Sequence, residues 1–385
     1  MNLSQLKTAE ERLQALETTV KPFTERGAKH DQANTFPHDN FNDLKQIGYP
    51  ALTIPSKYGG KGISLTELIK SQEIIARADG PTALGIGWHM GITKHLGENE
   101  IWESTKYQAF ANDVIQTGAL LNNAASERAT GSPTRGGRPE TTAKQTSHGW
   151  VIHGRKTFTT LAPVLTYFVV SASIEGTTKT GNFLVKRDRP GVSIDETWDS
   201  IAMKGTGSHD LVLNHVSLDK SDYVEELTPG KKAAAGWLLH IPACYLGIAR
   251  AAQKYALQFA TSYSPNSIEG TISDLPNVKQ KLGEMELQLM ESEQFLYGTT
   301  EQWDHGTASK RTDMQPLLGA VKLSVVNKAI EVVDLAMRVV GARSLSNSNP
   351  LQRYYRDVRA GLHNPPMDDM TIIKLADTSL KDLND

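Results

Sequence analysis

Strand-like runs are confined to the middle of this chain. "WVIHGRKTF", "TYFVVSASI", "GNFLVK", "GVSIDE" and "DLVLNHVSL" are short, rich in β-branched and aromatic residues, and separated by Gly, Pro, Asp or Asn. All lie between about Thr117 and Val224, with helical periodicity on both flanks. Strands and helices therefore do not alternate, which argues against a doubly wound nucleotide-binding sheet. The order predicts an α+β chain of three units: a helical domain over 1–116, a small antiparallel β domain over 117–225 and a helical bundle over 226–385.

The flanks carry the marks of packed helices. Leu6, Ala9, Leu13, Leu16 and Val20 repeat at three and four residue steps behind a Thr8/Glu11 capping box. In the last third, three apolar stripes run through Leu238–Phe259, Val278–Leu289 and Leu318–Val339, the pattern of a four-helix bundle, with Gly341 placed to end the third helix. Lys and Arg total 41 against 43 Asp and Glu, a net charge of −2, which supplies no basic field for nucleic acid. The single cysteine, Cys244, forbids an internal disulfide, and neither a secretion signal nor an apolar run of membrane-spanning length occurs, so a cytoplasmic protein is expected. His89 and His95 are six residues apart, no paired-Cys or H-E-x-x-H spacing exists, and no metal site is expected.

The chemistry-bearing stretch is "NNAASERATGSPTRGGRPETTA", a loop of hydroxyls, charges and glycines, followed by "GWVIHGRKTFTTLAP". "SERATGSP" resembles the T-E-P-G-A-G-S-D flavin loop of the acyl-CoA dehydrogenase superfamily, and the following stretch resembles its G-x-x-I-N-G-x-K-x-W-I-T-N strand and turn. "WDSIAMKGTGSHDLVLNHVSL" resembles the family's second β segment and "LQRYYRDVRA" its late L-x-R-x-Y-R-D helix start, so the likeness spans essentially the whole chain. An acyl-CoA dehydrogenase-like fold and a flavin cofactor follow from that resemblance. An isoalloxazine ring gathers negative charge at N1 and C2=O on reduction and exchanges a hydride at N5, so it needs neutral donors near both ends and a water-poor face. By the same resemblance Ser126 reaches the pyrimidine edge, Gly131 and Ser132 approach the phosphate, Phe158 covers the ring where the family has Trp, and Thr159 and Thr160 line the N5 side.

Two departures bear on the reaction. The family's dehydrogenases take the substrate α-proton with a Glu placed eight residues after the Asp of Y-R-D or, in some members, on the first bundle helix; here those positions hold Pro365 and Trp237. Asp368, Asp369 and Glu284 are the carboxylates that a register shift could substitute. "GLHNPPMDD" instead resembles the L-H-D-P stretch of the superfamily's dibenzothiophene monooxygenase-like branch, which takes reduced flavin from a separate reductase and activates O2. His363 is thereby a candidate for proton transfer, and His89 a second candidate at the substrate cavity, with a core role as the competing reading for each. The adenosine-binding R-x-x-F-G is absent and the second adenosine turn keeps only Gly341, Arg343 and Ser344, so FAD has FMN as its rival and Arg343 is the remaining contact expected there.

Three activities follow: a reduced-flavin monooxygenase, an acyl-CoA dehydrogenase with a relocated base, and a non-catalytic flavin or acyl-CoA binding protein. Expected partners are a small-molecule substrate, possible acyl-CoA, a flavin reductase or electron-transfer flavoprotein, and further copies of the chain in a homotetramer or homodimer.

Overall fold

The computed structural model describes residues 2–130, 137–227 and 235–381. The first unit holds α1 (Ala9–Thr19), α2 (Phe23–Ala33), α3 (His38–Gln46), α4 (Leu65–Ala78), α5 (Gly80–Glu98) and α6 (Ser104–Thr117). Strands follow: β1 (Leu121–Ala124), β2 (Thr142–Gln145), β3 (Gly149–Lys156), β4 (Tyr167–Ile174), β5 (Thr180–Lys186), β6 (Val192–Asp195), β7 (Asp210–Asp219) and β8 (Tyr223–Leu227). The chain ends in α7 (His240–Ser262), α8 (Pro276–His305), α9 (Ala308–Asp313), α10 (Gln315–Val340), α11 (Pro350–Arg359) and α12 (Asp368–Lys381). This is the acyl-CoA dehydrogenase-like architecture that the sequence predicts.

The local signals act as read. Thr8 and Glu11 form both halves of the capping box of α1, and Gly341 closes α10 at φ +69°, a conformation that favours glycine. The third stripe, Leu318 through Val339, is buried along α10, against α7 and α8.

The strands form one sheet in the order β6-β7-β3-β2-β4-β5-β8, with β1 also paired to β4. The sheet is antiparallel except where β1 and β2 each run parallel to β4, so the expected all-antiparallel pairing is corrected at those two places. Both partners reach β4 through long connections, which free them from the hairpin constraint that makes sequential neighbours antiparallel. β4 is buried on both faces. Tyr167 and Val169 face the core built with α5 and α6, whereas Phe168, Val170, Ala172 and Ile174 join the main core. The sheet thus stands between helices.

Helix α5 is unusual among these elements because its packing faces are glycine. A Cβ on Gly80 would lie 2.7 Å from Ile248 Cδ1, on Gly87 2.3 Å from His240 Nδ1, and on Gly91 2.4 Å from Trp237 Cε3. These residues recur at seven and four residue steps and so share one face. On another face Gly85 lies against Leu161, where a Cβ would come within 2.5 Å. Each glycine costs a helix up to about 1 kcal/mol relative to Ala; close approach of bare backbone to the α7 region and to the β3–β4 turn offsets it.

Candidate active site

The turn after β3 carries the candidate residues. Phe158 sits at φ +54° with two-thirds of its surface exposed, and its ring meets Trp198 edge-on at 5.9 Å. Thr159 turns the other way: it is fully buried, its N–H donates to the His209 carbonyl at 3.1 Å, and its hydroxyl finds no partner. Thr159 thus sits on the buried side of the turn, with Phe158 on its exposed side.

Thr160 is half-buried, and its hydroxyl lies 2.9 Å from Ser208 Oγ. Its backbone is pinned twice, by Asn122 Nδ2 donating to its carbonyl at 3.0 Å and by its own N–H donating to the Phe158 carbonyl at 2.9 Å. The amide is thus committed inside the turn, leaving the hydroxyl, against Ser208, as the residue's remaining donor or acceptor. Ser126, also half-buried, is tied to the turn through its carbonyl, which accepts from Thr157 N–H at 2.8 Å. Gly131 and Ser132 lie outside the described residues.

A buried ion pair holds the loop to the strand. Glu127 accepts from Lys156 Nζ at 2.6 Å and from Thr141 N–H at 3.0 Å, and both charged side chains are withdrawn from solvent. Burial works against the Glu127 carboxylate, but hydrogen bonds from Lys156 and Thr141 hold it below the usual carboxylate range. Burial likewise lowers Lys156. Both residues stand in the two quoted motifs, so the pairing was present in the sequence without being read from it.

His89 is corrected from a catalytic to a structural residue. Its ring is fully buried, accepting Leu121 N–H on Nδ1 at 3.0 Å and donating from Nε2 to the Pro50 carbonyl at 3.1 Å. Both nitrogens are used in fastening α5 to β1, and burial pushes the imidazole down to about 4. A second histidine, His240, went unnoticed. It is also fully buried, yet neither ring nitrogen has a partner among the described residues, and burial pushes it down to about 3. Its ring stacks on Trp237 at 5.9 Å and meets Trp88 edge-on at 5.0 Å, over the glycine face of α5. The only signal was a lone His in the apolar "WLLHIPACY".

His363 is exposed at the end of the turn Ala360–His363 that follows α11. That turn packs where Gly361 meets Tyr245 and Val326, and Tyr245 donates its hydroxyl proton to Asn364. Tyr245 stands three residues before Ile248, which touches Gly80, and Met203 reaches the same glycine. Asp357, buried in α11, accepts Met203 N–H at 2.6 Å. The His363 turn and the Met203 segment are therefore brought to the same end of α7. Arg343 is not: it is exposed and stacks on Tyr263, at the other end of that helix. From Ile248 to Tyr263 a helix rises about 22 Å, so Arg343 is separated from the Thr160 turn within one chain.

The relocated-base candidates are occupied elsewhere. Asp368 pairs with Lys322 at 3.0 Å and receives Asn327. Glu284 is exposed on α8 and accepts Gln280 at 2.8 Å. Asp369 is exposed and accepts Met370 N–H at 2.9 Å. What the Thr160 turn offers is an uncharged hydroxyl beside an exposed aromatic ring, a donor set that fits a planar redox ring needing neutral partners and an apolar cover. Among the described residues no group of three or more His, Cys, Asp or Glu could hold a metal ion, and no helix is long and apolar enough to cross a membrane.

Comparison with known proteins places these features in context. The chain matches the acyl-CoA dehydrogenase N-terminal domain over residues 8–100, the middle domain over 122–216 and the C-terminal domain over 239–364. It is 52% identical to a putative acyl-CoA dehydrogenase, YdbM, of Bacillus subtilis, across 92% of each chain. An amino sugar nitrososynthase, DnmZ, of Streptomyces peucetius is 26% identical across 91% of this chain and 87% of its own. Among solved structures, TdsC of Paenibacillus sp. A11-2 with FMN and indole superposes with a TM-score of 0.86, covering 96% of this chain and 97% of that one at 22% identity.

Proposed function

Because the chain belongs to the acyl-CoA dehydrogenase family and is a flavin-dependent oxidoreductase, we propose that it uses reduced flavin and O2 to oxidise a small molecule. The observation that carries this reading is the pair Trp237 and Pro365. By the resemblance they stand at the two positions where the family's dehydrogenases keep their base, and of the carboxylates that a register shift could substitute, Asp368 pairs with Lys322 while Glu284 and Asp369 are exposed. Without a base the α-proton of a thioester stays in place, whereas O2 activation needs no such carboxylate. When bound, reduced flavin supplies two electrons. Thr160 would hold the ring edge, Phe158 and Trp198 would cover it, and Ser126 would reach its pyrimidine side. Gly131 and Ser132 would approach the phosphate, and His363 would carry protons at the exposed rim. FMN bound in TdsC supports FMN in place of FAD, which is also the simplest reading of the lost adenosine contacts.

A second reading, α,β-dehydrogenation of an acyl-CoA, is favoured by one observation, the 52% identity to YdbM. Flavin absorbance separates the two. Bleaching on anaerobic addition of acyl-CoA would establish the dehydrogenase. The monooxygenase reading expects bleaching only with a flavin reductase and NAD(P)H, followed by an oxygen-dependent product.

A further inference from the structure

Two histidines outside the candidate site stand side by side on the sheet. His153 on β3 and His215 on β7 are both exposed, and their ring centres are 4.3 Å apart with planes 33° from parallel. The strand register brings them together. Ile152 pairs with Val216 and Gly154 with Leu213, so Asn214 and His215 together oppose the single residue His153. Such a bulge re-aims a side chain, and His215 takes φ +52° there, the left-handed region that a non-glycine residue enters at a cost. Asn214 then fixes where the ring carries its proton. Its Oδ1 lies 2.9 Å from His215 Nδ1, and an amide oxygen can only accept. Nδ1 is therefore the donor, and Nε2 keeps its lone pair. The His153 ring has no hydrogen bond among the described residues.

Ring spacing says which metal such a pair would suit. A first-row metal sits about 2.0–2.1 Å from an imidazole nitrogen, and hence about 3.2 Å from the ring centre. Rings at a right angle about that metal have centres about 4.5 Å apart, and rings at the tetrahedral angle about 5.2 Å. The observed 4.3 Å matches the right angle of copper(II) and nickel(II) better than the tetrahedral angle of zinc. We propose that His153 and His215 form a two-nitrogen site for a tetragonal divalent transition metal, copper(II) foremost, that clips β3 to β7, with water in the remaining positions. Copper leads because it binds nitrogen ligands most tightly among the divalent first-row ions. With two protein ligands the pair falls short of the three-residue clusters considered above. β3 runs into the Phe158–Thr160 turn and β7 follows Ser208, so the clip joins the two strands that hold the candidate site. The inference stands whether or not a flavin binds there.

Copper binding to the full chain tests it. Protein stripped with EDTA and dialysed is titrated with copper(II) sulfate by calorimetry, and the equimolar sample is read by electron paramagnetic resonance. A tetragonal signal with hyperfine structure from two nitrogens is expected. Removing either ring turns a chelate into a single ligand, so His153→Ala and His215→Asn should each weaken binding at least about tenfold. Asn tolerates the left-handed backbone at position 215, which keeps the bulge intact. The double variant should bind no more than about twofold more weakly than either single one, because the first removal already destroys the chelate. Asn214→Ala frees the Nδ1 proton and should cost about tenfold, as loss of the partner behind a metal-bound histidine does. The proposal is overturned by a loss below about tenfold in either single variant, by additive losses in the double, by an Asn214→Ala variant as tight as the wild type, or by a single coordinated nitrogen in the spectrum. Each of those results would leave adventitious binding at separate surface histidines.

Discussion

Single residues carry the sharpest expectations. His363 is exposed and makes no part of the core, so His363→Ala should fold normally and retain flavin affinity. If it moves protons, turnover should fall about 100-fold or more, the usual range for a general acid or base. Unchanged steady-state kinetics would return His363 to the surface. His240 gives a pH prediction. Burial holds His89 and His240 at about 4 and about 3, whereas the unfolded chain protonates each ring near 6.5. Between about 6.5 and 4 acid adds protons to the unfolded state alone, so each histidine lowers stability as pH falls through that window. Each contributes up to about 1.4 kcal/mol per pH unit. Asp357, pushed up to about 7 by burial, works in the opposite direction: its contribution is present in acid and is lost as pH rises through about 7. Comparing His240→Phe with the wild type cancels both His89 and Asp357. Urea midpoints should show the variant gaining stability relative to the wild type on going from pH 7.5 to pH 5; a constant difference would mean that His240 titrates normally.

At the scale of elements, α5 and α8 offer opposed glycines. Ala is the better helix former by about 1 kcal/mol, yet Gly91→Ala would drive a methyl to within 2.4 Å of the Trp237 ring. Overpacking of that kind costs about 1–3 kcal/mol, so the net effect should be destabilising. Gly283, exposed on α8, has nothing within 4 Å of a Cβ, and Gly283→Ala should stabilise by up to about 1 kcal/mol. Urea denaturation of the two variants decides it: the same sign for both would show that helix propensity, not the close approach of α5, governs this element. The α11 segment makes a different kind of link. Asp357 reaches across to Met203, so the bundle fixes the position of the β-domain loop that carries Ser208.

For the molecule as a whole, the question is which chain completes the site. Arg343 lies on Tyr263 at the far end of α7 from the Met203 segment, so a contact from it to a flavin at the Thr160 turn is expected from a second copy. Leu287 and Met290 on α8, with Ile372 and Ile373 on α12, are each more than half exposed, and exposed apolar side chains suit association. Sedimentation at assay concentration should therefore show a dimer or larger species. Arg343→Ala should weaken FAD binding in that species and leave FMN binding unchanged, and an unaffected FAD affinity would remove Arg343 from the cofactor site. The three-part layout was legible from the sequence because strand and helix periods do not mix in this chain, and the stripe from Leu318 to Val339 is a long regular signal. The Thr160–Ser208 hydroxyl contact was not. Ser208 stands in "KGTGSHD", nearly fifty residues from Thr160, and only the seating of the β3–β4 turn on that segment unites them. His89 misled for a related reason: an imidazole on an apolar helix reads alike whether its partners are a ligand or two backbone groups on other elements.

The bare face of α5 limits how this enzyme can be altered. A wall of backbone has no side chains to trim or enlarge, and any atom added there collides with the opposite side. Variation at this contact has to be introduced from the facing segment, at Trp237 and His240, so substitutions there should leave more folded protein than a methyl added at Gly87 or Gly91.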